Sequence, residues 1–508
     1  MSQTKFYKSF IFLLGILIIT TSLRPAAPQL GSMVLKAQPI LIQIAAGDPS
    51  QVVSVIVQKT PQATHVEEQV RNLGATDLQD LKLINAISAR MSASAVLEIA
   101  RSSEVRWVSL DAPVVSSACD QCVDTSKLAN AYIRAIKADQ VWNNSPYRQG
   151  TGIGVAVVDS GVNPNGDLFT LAGTNRQVAD VRFNSDVNKT PSDGYGHGTH
   201  VASIVGGDGS ESGGKYIGVA PLVNIINVKV SNDDGSALMK DVVAGLQWVL
   251  QNKDKYNIRV VNLSLNSSVA ESYHTSPLDA AVEILWFNKI VVVASAGNRG
   301  NESIYPPAND PFIITVGATN DKGTASLSDD VLASFSAYGP TTDGIQKPDL
   351  VAPGTNIIAR LVNQNMGLAA AHPSNKVGDQ YFRMSGTSMA APMVSGTVAL
   401  LLQDEPGLTP DQVKYRLMST ANKSWSGYNA TQSGAGYLDA YAAVRGTTTQ
   451  SANTNVKPSQ LLTTGSAPIT WGSVGWNSVG WNSVGWNSVG WNSVGWNSVG
   501  WNSDYWAP

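Results

Sequence analysis

The chain has 508 residues, 43% of them hydrophobic and 14% charged, with a formal net charge of −3. That length exceeds what one hydrophobic core organises, so two to four structural units are expected. With no basic excess to attract phosphates or anionic lipid headgroups, no nucleic acid or membrane surface is expected as a partner.

At the N-terminus Lys5 and Lys8 precede an apolar run from Phe10 to Ile19. A charged segment followed by a short apolar one has the form of a signal peptide, placed here at 1–27 with small residues such as Ala26 and Ala27 near its end. The alternative is an uncleaved anchor, against which the run is short for a bilayer. Export to the extracellular space is therefore expected. The two cysteines, Cys119 and Cys122, form a lone CxxC. No second pair completes a zinc site, no thioredoxin-like context surrounds them, and an oxidising compartment favours a local disulfide.

From 39 to 114 the pattern is that of a small α+β unit. Pro39 to Ile44, Pro49 to Lys59, Leu83 to Arg90 and Val105 to Leu110 read as strands, and Val66 to Leu73 and Ala93 to Ser102 as helices. From 120 to 446 short continuous apolar runs alternate with helical patterns. Gly152 to Val158, Asn224 to Val230, Val260 to Leu265, Ile290 to Ala294 and Phe312 to Val316 read as buried strands, with helices at Leu238 to Gln251 and Leu278 to Asn288. That alternation predicts an α/β fold, a mostly parallel sheet flanked by helices, with functional groups at the carboxyl ends of its strands. Residues 447–470 are rich in Ser, Thr, Asn and Gln and read as a linker. From 471 to 508 a Ser-Val-Gly-Trp-Asn repeat spaces Trp471, Trp476, Trp481, Trp486, Trp491, Trp496, Trp501 and Trp506 five apart, a period that fits neither helix nor strand.

Four segments carry chemistry. VAVVDSG ends an apolar strand in Asp159, where a buried carboxylate can orient an imidazole, although strand-end aspartates are common. DGYGHGTHVAS places His197 among Gly194, Gly196 and Gly198 at the start of a helix. Five histidines occur in all: His65 lies in the small unit, leaving His197, His200, His274 and His372 as candidate bases. His197 and His200 lack the HExxH pattern of a helical zinc site, so no metal is assigned and His200 reads as a packing residue. MSGTSMAAPMVSG puts Ser388 at the N-terminus of a helical run, Met389 to Leu402, where its amide can help hold an oxyanion. A capping serine looks the same locally. Pro392 falls in the early turns, where a missing amide is tolerated. VVVASAGN ends a strand in Asn298, whose side chain can donate to a tetrahedral intermediate or simply build a turn.

DSG, HGTH, AGN and GTSMAAP, in that order, resemble the signature segments of subtilisin-like serine proteases. GVAP at Gly218 to Pro221, KPDLVAPG at Lys347 to Gly354 and GYLDAYAAV at Gly436 to Val444 extend the likeness over residues 125–446. The resemblance implies an endopeptidase with Asp159 as orienting acid, His197 as general base, Ser388 as nucleophile and Asn298 as oxyanion donor. It implies substrate contacts at Ser264, Leu265, Asn266, Gly235 and Ser236, and it makes the unit at 39–114 similar to an inhibitory propeptide that the zymogen removes. The order Asp, His, Ser and the GTSMA nucleophile segment exclude an α/β-hydrolase, which runs Ser, acid, His around G-x-S-x-G.

The chain also departs from that family. Ser264, Leu265, Asn266, Ser267 stand where SLGG is usual, so backbone pairing with an extended substrate survives while side chains narrow the cleft. Gly206 to Gly214 lies where some relatives bind calcium. With only Asp208 and Glu211 as carboxylates it reads first as a solvated loop, structural calcium elsewhere staying open and no cofactor being needed for the chemistry. Met389 beside the nucleophile predicts oxidant sensitivity if it is exposed. The tryptophans form either a stacking platform for a carbohydrate or cell-envelope ligand or a spacer without one. The expected partners are polypeptide substrates and the chain's own propeptide, and a monomer is expected. The competing class is a surface-binding protein using a protease fold as scaffold.

Overall fold

The computed structural model describes residues 36–112, 122–170, 173–185, 190–464 and 467–468. The chain divides into two compact units, within 1–118 and 119–508. The signal segment and the tryptophan repeat lie outside the described residues, as does Cys119. Cys122 is disulfide-bonded, and Cys119 is the only other cysteine in the sequence. Among the described residues no helix is long and apolar enough to cross a membrane.

The first unit contains helix α1 (Pro39–Gly47), β1 (Val52–Lys59), α2 (Val66–Asn72), β2 (Thr76–Leu81), β3 (Ala86–Ser92), α3 (Ala93–Ile99) and β4 (Val105–Leu110). Its antiparallel sheet runs β2-β3-β1-β4 and buries Val55, Val57, Ile87, Val105 and Val108 against Leu41, Val96 and Ile99. The expected strand at Pro39 to Ile44 is instead a helix. Ile40, Ile42 and Ile44 alternate as in a strand, but Pro39 sits in the first helical turn and Leu41 and Ala45, four apart, are the buried pair. Strand β2 escaped sequence reading because none of its residues is buried, which leaves no apolar pattern.

In the second unit, α4 (Ala131–Ala135) and α5 (Ala138–Asn143) lead into β5 (Gly154–Asp159), β6 (Gln177–Arg182), α6 (His197–Gly206), β7 (Asn224–Lys229), α7 (Met239–Asn252), β8 (Ile258–Leu263), α8 (Pro277–Phe287), β9 (Val291–Ser295) and β10 (Ile314–Asn320). The short strands β11 (Val331–Leu332), β12 (Gly339–Pro340) and β13 (Gln346–Lys347) follow, then β14 (Leu350–Pro353) and β15 (Ile357–Arg360). Beyond helix α9 (Gly367–Ala371) and strands β16 (Lys376–Val377) and β17 (Tyr381–Met384) come α10 (Thr387–Asp404) and α11 (Pro410–Thr420). The main sheet runs β11-β10-β9-β8-β5-β7-β6, parallel except at β11, with β14 also parallel to β10. Every residue of β5 and β9 is buried, as strands covered on both faces must be. The chain proceeds from β5 to β6 and β7 on one side and to β8, β9 and β10 on the other. The crevice of such a sheet opens where the order reverses, beyond the carboxyl end of β5, and β5 ends in Asp159.

The stretch expected as a linker packs, in its described part, on α8 and α11. Asp411 Oδ1 accepts from Trp286 Nε1 at 2.9 Å and Asn453 Nδ2 at 2.7 Å. The Ser459 amide donates to both oxygens of Glu283, at 3.0 and 2.8 Å. Leu462 joins Ala280 and Ile284 in a small apolar cluster. Leu461 and Leu462 with a few polar anchors suffice because α8, with Leu250, supplies the rest of the apolar surface. Nearby, Lys414 Nζ donates to the carbonyls of Pro311, Phe312 and Ile313 at 2.7, 3.3 and 3.0 Å and lies 3.1 Å from Asp349. Burial pushes this ammonium down to about 8.

Candidate active site

Asp159 is fully buried at the end of β5, and its Oδ1 accepts the Ser160 amide at 2.7 Å. His197 opens α6, also fully buried, with Nδ1 2.9 Å from Asp159 Oδ1 and 3.1 Å from Oδ2. Gly198 follows it because a Cβ there would stand 2.1 Å from the Gly161 carbonyl and 2.9 Å from Asp159 Oδ1. An imidazole gripped through Nδ1 by a carboxylate presents Nε2 as the working nitrogen.

Two residues that sequence reading passed over hold this pair. Asp193 is buried, and its Oδ1 accepts the Gly196 amide at 2.7 Å and Ser160 Oγ at 2.9 Å. Its Oδ2 accepts the Thr199 amide at 2.8 Å and Thr199 Oγ1 at 2.7 Å. It thereby caps the first turn of α6, while burial raises its carboxyl above the usual range. The available signal was an acid four residues before His197 in a glycine-rich approach to a helix. Lys229, paired in register with Asp159, sends its buried Nζ to the Ser160 carbonyl at 2.7 Å, the Ser192 carbonyl at 2.8 Å and Asp233 at 2.6 Å. A lysine at the end of an apolar strand gives no hint of that from sequence.

Ser388 is the second residue of α10, 9% exposed, on a helix that packs against α6. Its Oγ donates to the Ser264 carbonyl at 3.2 Å, and Ser264 Oγ donates to the Ser388 carbonyl at 2.9 Å. The second bond revises the explanation for Pro392. That residue lies beyond the first four amides of α10, and the intrahelical bond it removes is the one that would end on the Ser388 carbonyl. Ser264 supplies the missing donor. Asn262 extends the chain, donating to Ser264 Oγ at 2.9 Å and accepting from Ser395 Oγ at 2.8 Å.

Asn298 follows β9, and its Oδ1 accepts both the amide and Oγ1 of Thr387, each at 2.9 Å. With the oxygen so occupied the Nδ2 end faces Gly386, where an added Cβ would come within 3.2 Å of it. The donor end of the amide is thus turned towards the segment that carries Ser388.

Ser264, Leu265, Asn266, Ala296, Gly297, Asn298, Thr387 and Ser388 line one cleft, with Arg299, Ser303 and Tyr305 on its wall. Asn266 does enter the cleft lining, its Nδ2 bonded to the Ser295 carbonyl at 2.8 Å. Gly235 and Ser236 are not among the lining residues. They close the turn after β7, where Asp234 Oδ1 accepts the Ser236 amide at 2.8 Å, and neighbouring Asp233 accepts the Gly194 amide at 3.2 Å, three residues from His197.

His200 is buried with Nε2 3.0 Å from the Phe382 carbonyl, and burial pushes it down to about 3, so it is neutral. The carboxylates near the glycine loop are engaged as well. Glu211 is ion-paired with Arg360, Asp208 Oδ1 accepts the Ser210 amide at 2.9 Å, and Asp167 accepts Tyr381 Oη at 2.7 Å. Guanidinium groups already stand where calcium would need bare oxygens, since Arg176 also bonds the Asp167 carbonyl at 2.6 Å. The residues do not fit a calcium ion there. Met389 is 1% exposed, so the condition set for its oxidant sensitivity is not met.

Residues 150–437 match the Subtilase family. The serine protease AprX of Bacillus subtilis is 39% identical over 72% of this chain and 80% of its own length. Subtilisin DY of Bacillus licheniformis is 32% identical over 57% of this chain and 90% of its own. The crystal structure of fervidolysin from Fervidobacterium pennivorans, a keratinolytic enzyme related to subtilisin, aligns with TM-score 0.49 and 24% identity, covering 78% of this chain and 61% of that one.

Proposed function

This chain belongs to the subtilase family and is a serine-type endopeptidase, and we propose that Asp159, His197 and Ser388 are its catalytic triad. The observation that carries the assignment is the contact of His197 Nδ1 with both oxygens of a buried Asp159, at 2.9 and 3.1 Å. His197 Nε2 takes the Ser388 proton as Oγ attacks the peptide carbonyl, and Asp159 stabilises the imidazolium so formed. The oxyanion is received by Asn298 Nδ2 and the Ser388 amide, the latter at the start of an 18-residue helix whose dipole favours negative charge there. His197 returns the proton to the leaving amine, and water repeats the cycle on the acyl-enzyme. The chemistry needs no cofactor.

Substrate lies extended along Ser264 to Asn266, backbone to backbone, with Gly235 and Ser236 offering a second edge from the β7 side. The chain is an exported zymogen: the unit at 39–114 is its inhibitory propeptide and residues 1–27 its signal. What supports this is an autonomous core in 36–112, separate from that of the second unit. The working form is a monomer, and the tryptophan repeat contacts an envelope or carbohydrate ligand.

Ser388→Ala tests the reading. Expressed in full, it should accumulate as unprocessed precursor, hydrolyse no casein and take no fluorophosphonate label. Normal maturation and digestion by that variant would remove Ser388 from the mechanism, and absence of label on the wild-type mature protein would favour the scaffold alternative.

A further inference from the structure

Arg299 is the only charged side chain among the described residues that line the cleft beside Ser388 and Asn298. It follows the proposed oxyanion donor directly and is half-buried. The contact recorded for its guanidinium is the face of Tyr305, with Cζ 4.4 Å from the ring centroid. Tyr305 lines the same cleft, so the ring holds the cation on the wall without neutralising it. Glu302, the nearest carboxylate in sequence, is exposed and makes no ion pair with it. The rest of the lining is neutral: hydroxyls of Ser264, Ser267 and Ser303, the Asn266 amide, and apolar Leu265, Ala296 and Ala337.

A side chain entering this cleft belongs to the residue whose carbonyl is attacked, because Ser388 and Asn298 are themselves part of its lining. We propose that Arg299 is a specificity-determining residue that selects an acidic side chain, Glu or Asp, over a basic one at that substrate position. The inference rests on the triad and cleft assignment above. An unpaired guanidinium attracts a carboxylate and repels an ammonium at the same depth, and no second charge offsets either effect. At a separation of about 6 Å each effect, against a neutral side chain, spans roughly threefold under full solvent screening to a hundredfold in a partly dehydrated site, so acidic against basic differs by about tenfold or more. Because both charges keep contact with solvent, it must also fall with added salt.

Three otherwise identical quenched peptides, with Glu, Gln or Lys at the attacked residue, give the test when kcat/KM is measured on the mature wild-type enzyme. The expected order is Glu, Gln, Lys, with a Glu-to-Lys ratio of about tenfold at low ionic strength that shrinks at 0.5 M salt, roughly one order of magnitude being ordinary for a single charge contact. Arg299→Gln should bring that ratio near unity, Arg299→Glu should invert it, and Arg299→Lys should keep its sign. Reading a ratio within each enzyme cancels any general loss of activity or yield. Equal rates on all three peptides, or a ratio that Arg299→Gln leaves unchanged, overturn the charge selection alone. Failure to cleave any of them, with casein also left intact, overturns the underlying cleft assignment and the selection together.

Discussion

Asp159 and Glu283 are both completely buried, one at the end of β5 and the other in the middle of α8, and their surroundings are opposite. Asp159 meets donors: the imidazole of His197 and the Ser160 amide. Glu283 meets other acids, Asp310 and Asp279, and its main donor is the amide of Ser459 from the C-terminal strap. Burial and then repulsion from Asp310 push its carboxyl well above the ordinary range, so it is held protonated, and Asp279 is raised for the same two reasons. A buried acid met by an imidazole and an amide is thus available to steady a positive charge, whereas one crowded by other acids keeps its proton and serves as a hydrogen-bonding group.

The largest effect should come from Asp159→Asn, which keeps the shape of the first site but loses the charge that stabilises the imidazolium. Turnover should fall by about 10⁴-fold with KM little changed. A loss under tenfold would mean that Asp159 is only another buried acid.

Cutting the chain after Gly446 instead of after Thr464 tests the second site, in a Ser388→Ala background to prevent self-digestion. Losing the Leu462 contact and the Ser459 amide should cost about 2–4 kcal/mol of stability, read as a lower urea midpoint. Equal midpoints for the two truncations would make the strap an ornament.

The smallest effect is the most diagnostic. An acid whose folded value is raised binds its proton more tightly in the native state, so its stabilisation is complete below about pH 4.5 and is lost as pH rises towards the folded value. Replacing Glu283 by Gln removes that loss. Between pH 5 and 7 the stability difference should therefore shift in favour of Glu283→Gln by up to about 1.4 kcal/mol per pH unit. His200 titrates in the opposite sense, destabilising the fold below about pH 6.5, but it does so in both chains and cancels in the difference. Parallel curves would show that Glu283 is ionised in the native protein.

The segments proposed as catalytic stand out in the sequence because each is local: an apolar run ending in Asp159, glycines around His197, a helix start at Ser388. The parallel strands were legible because burial on both faces makes them continuous apolar runs. What was hidden depends on partners far along the chain. The role of Lys229 shows only once Ser192 is folded over it, and that of Glu283 only once Ser459 arrives from 176 residues away. The first helix was hidden for a different reason, since its isoleucines imitate a strand while the contact with α3 decides the matter.

Lys414 has a consequence for the conditions this enzyme can tolerate. Its ammonium fills a ring of three main-chain oxygens and one carboxylate, the oxygen-only surroundings that a dissolved ion would otherwise occupy. Because this positive charge is covalently attached, dialysis or a chelator has nothing to extract from the turn at Pro311 to Ile313. Raising the pH through about 8 does not by itself loosen it, because burial makes the folded chain give up this proton more readily than the unfolded one does.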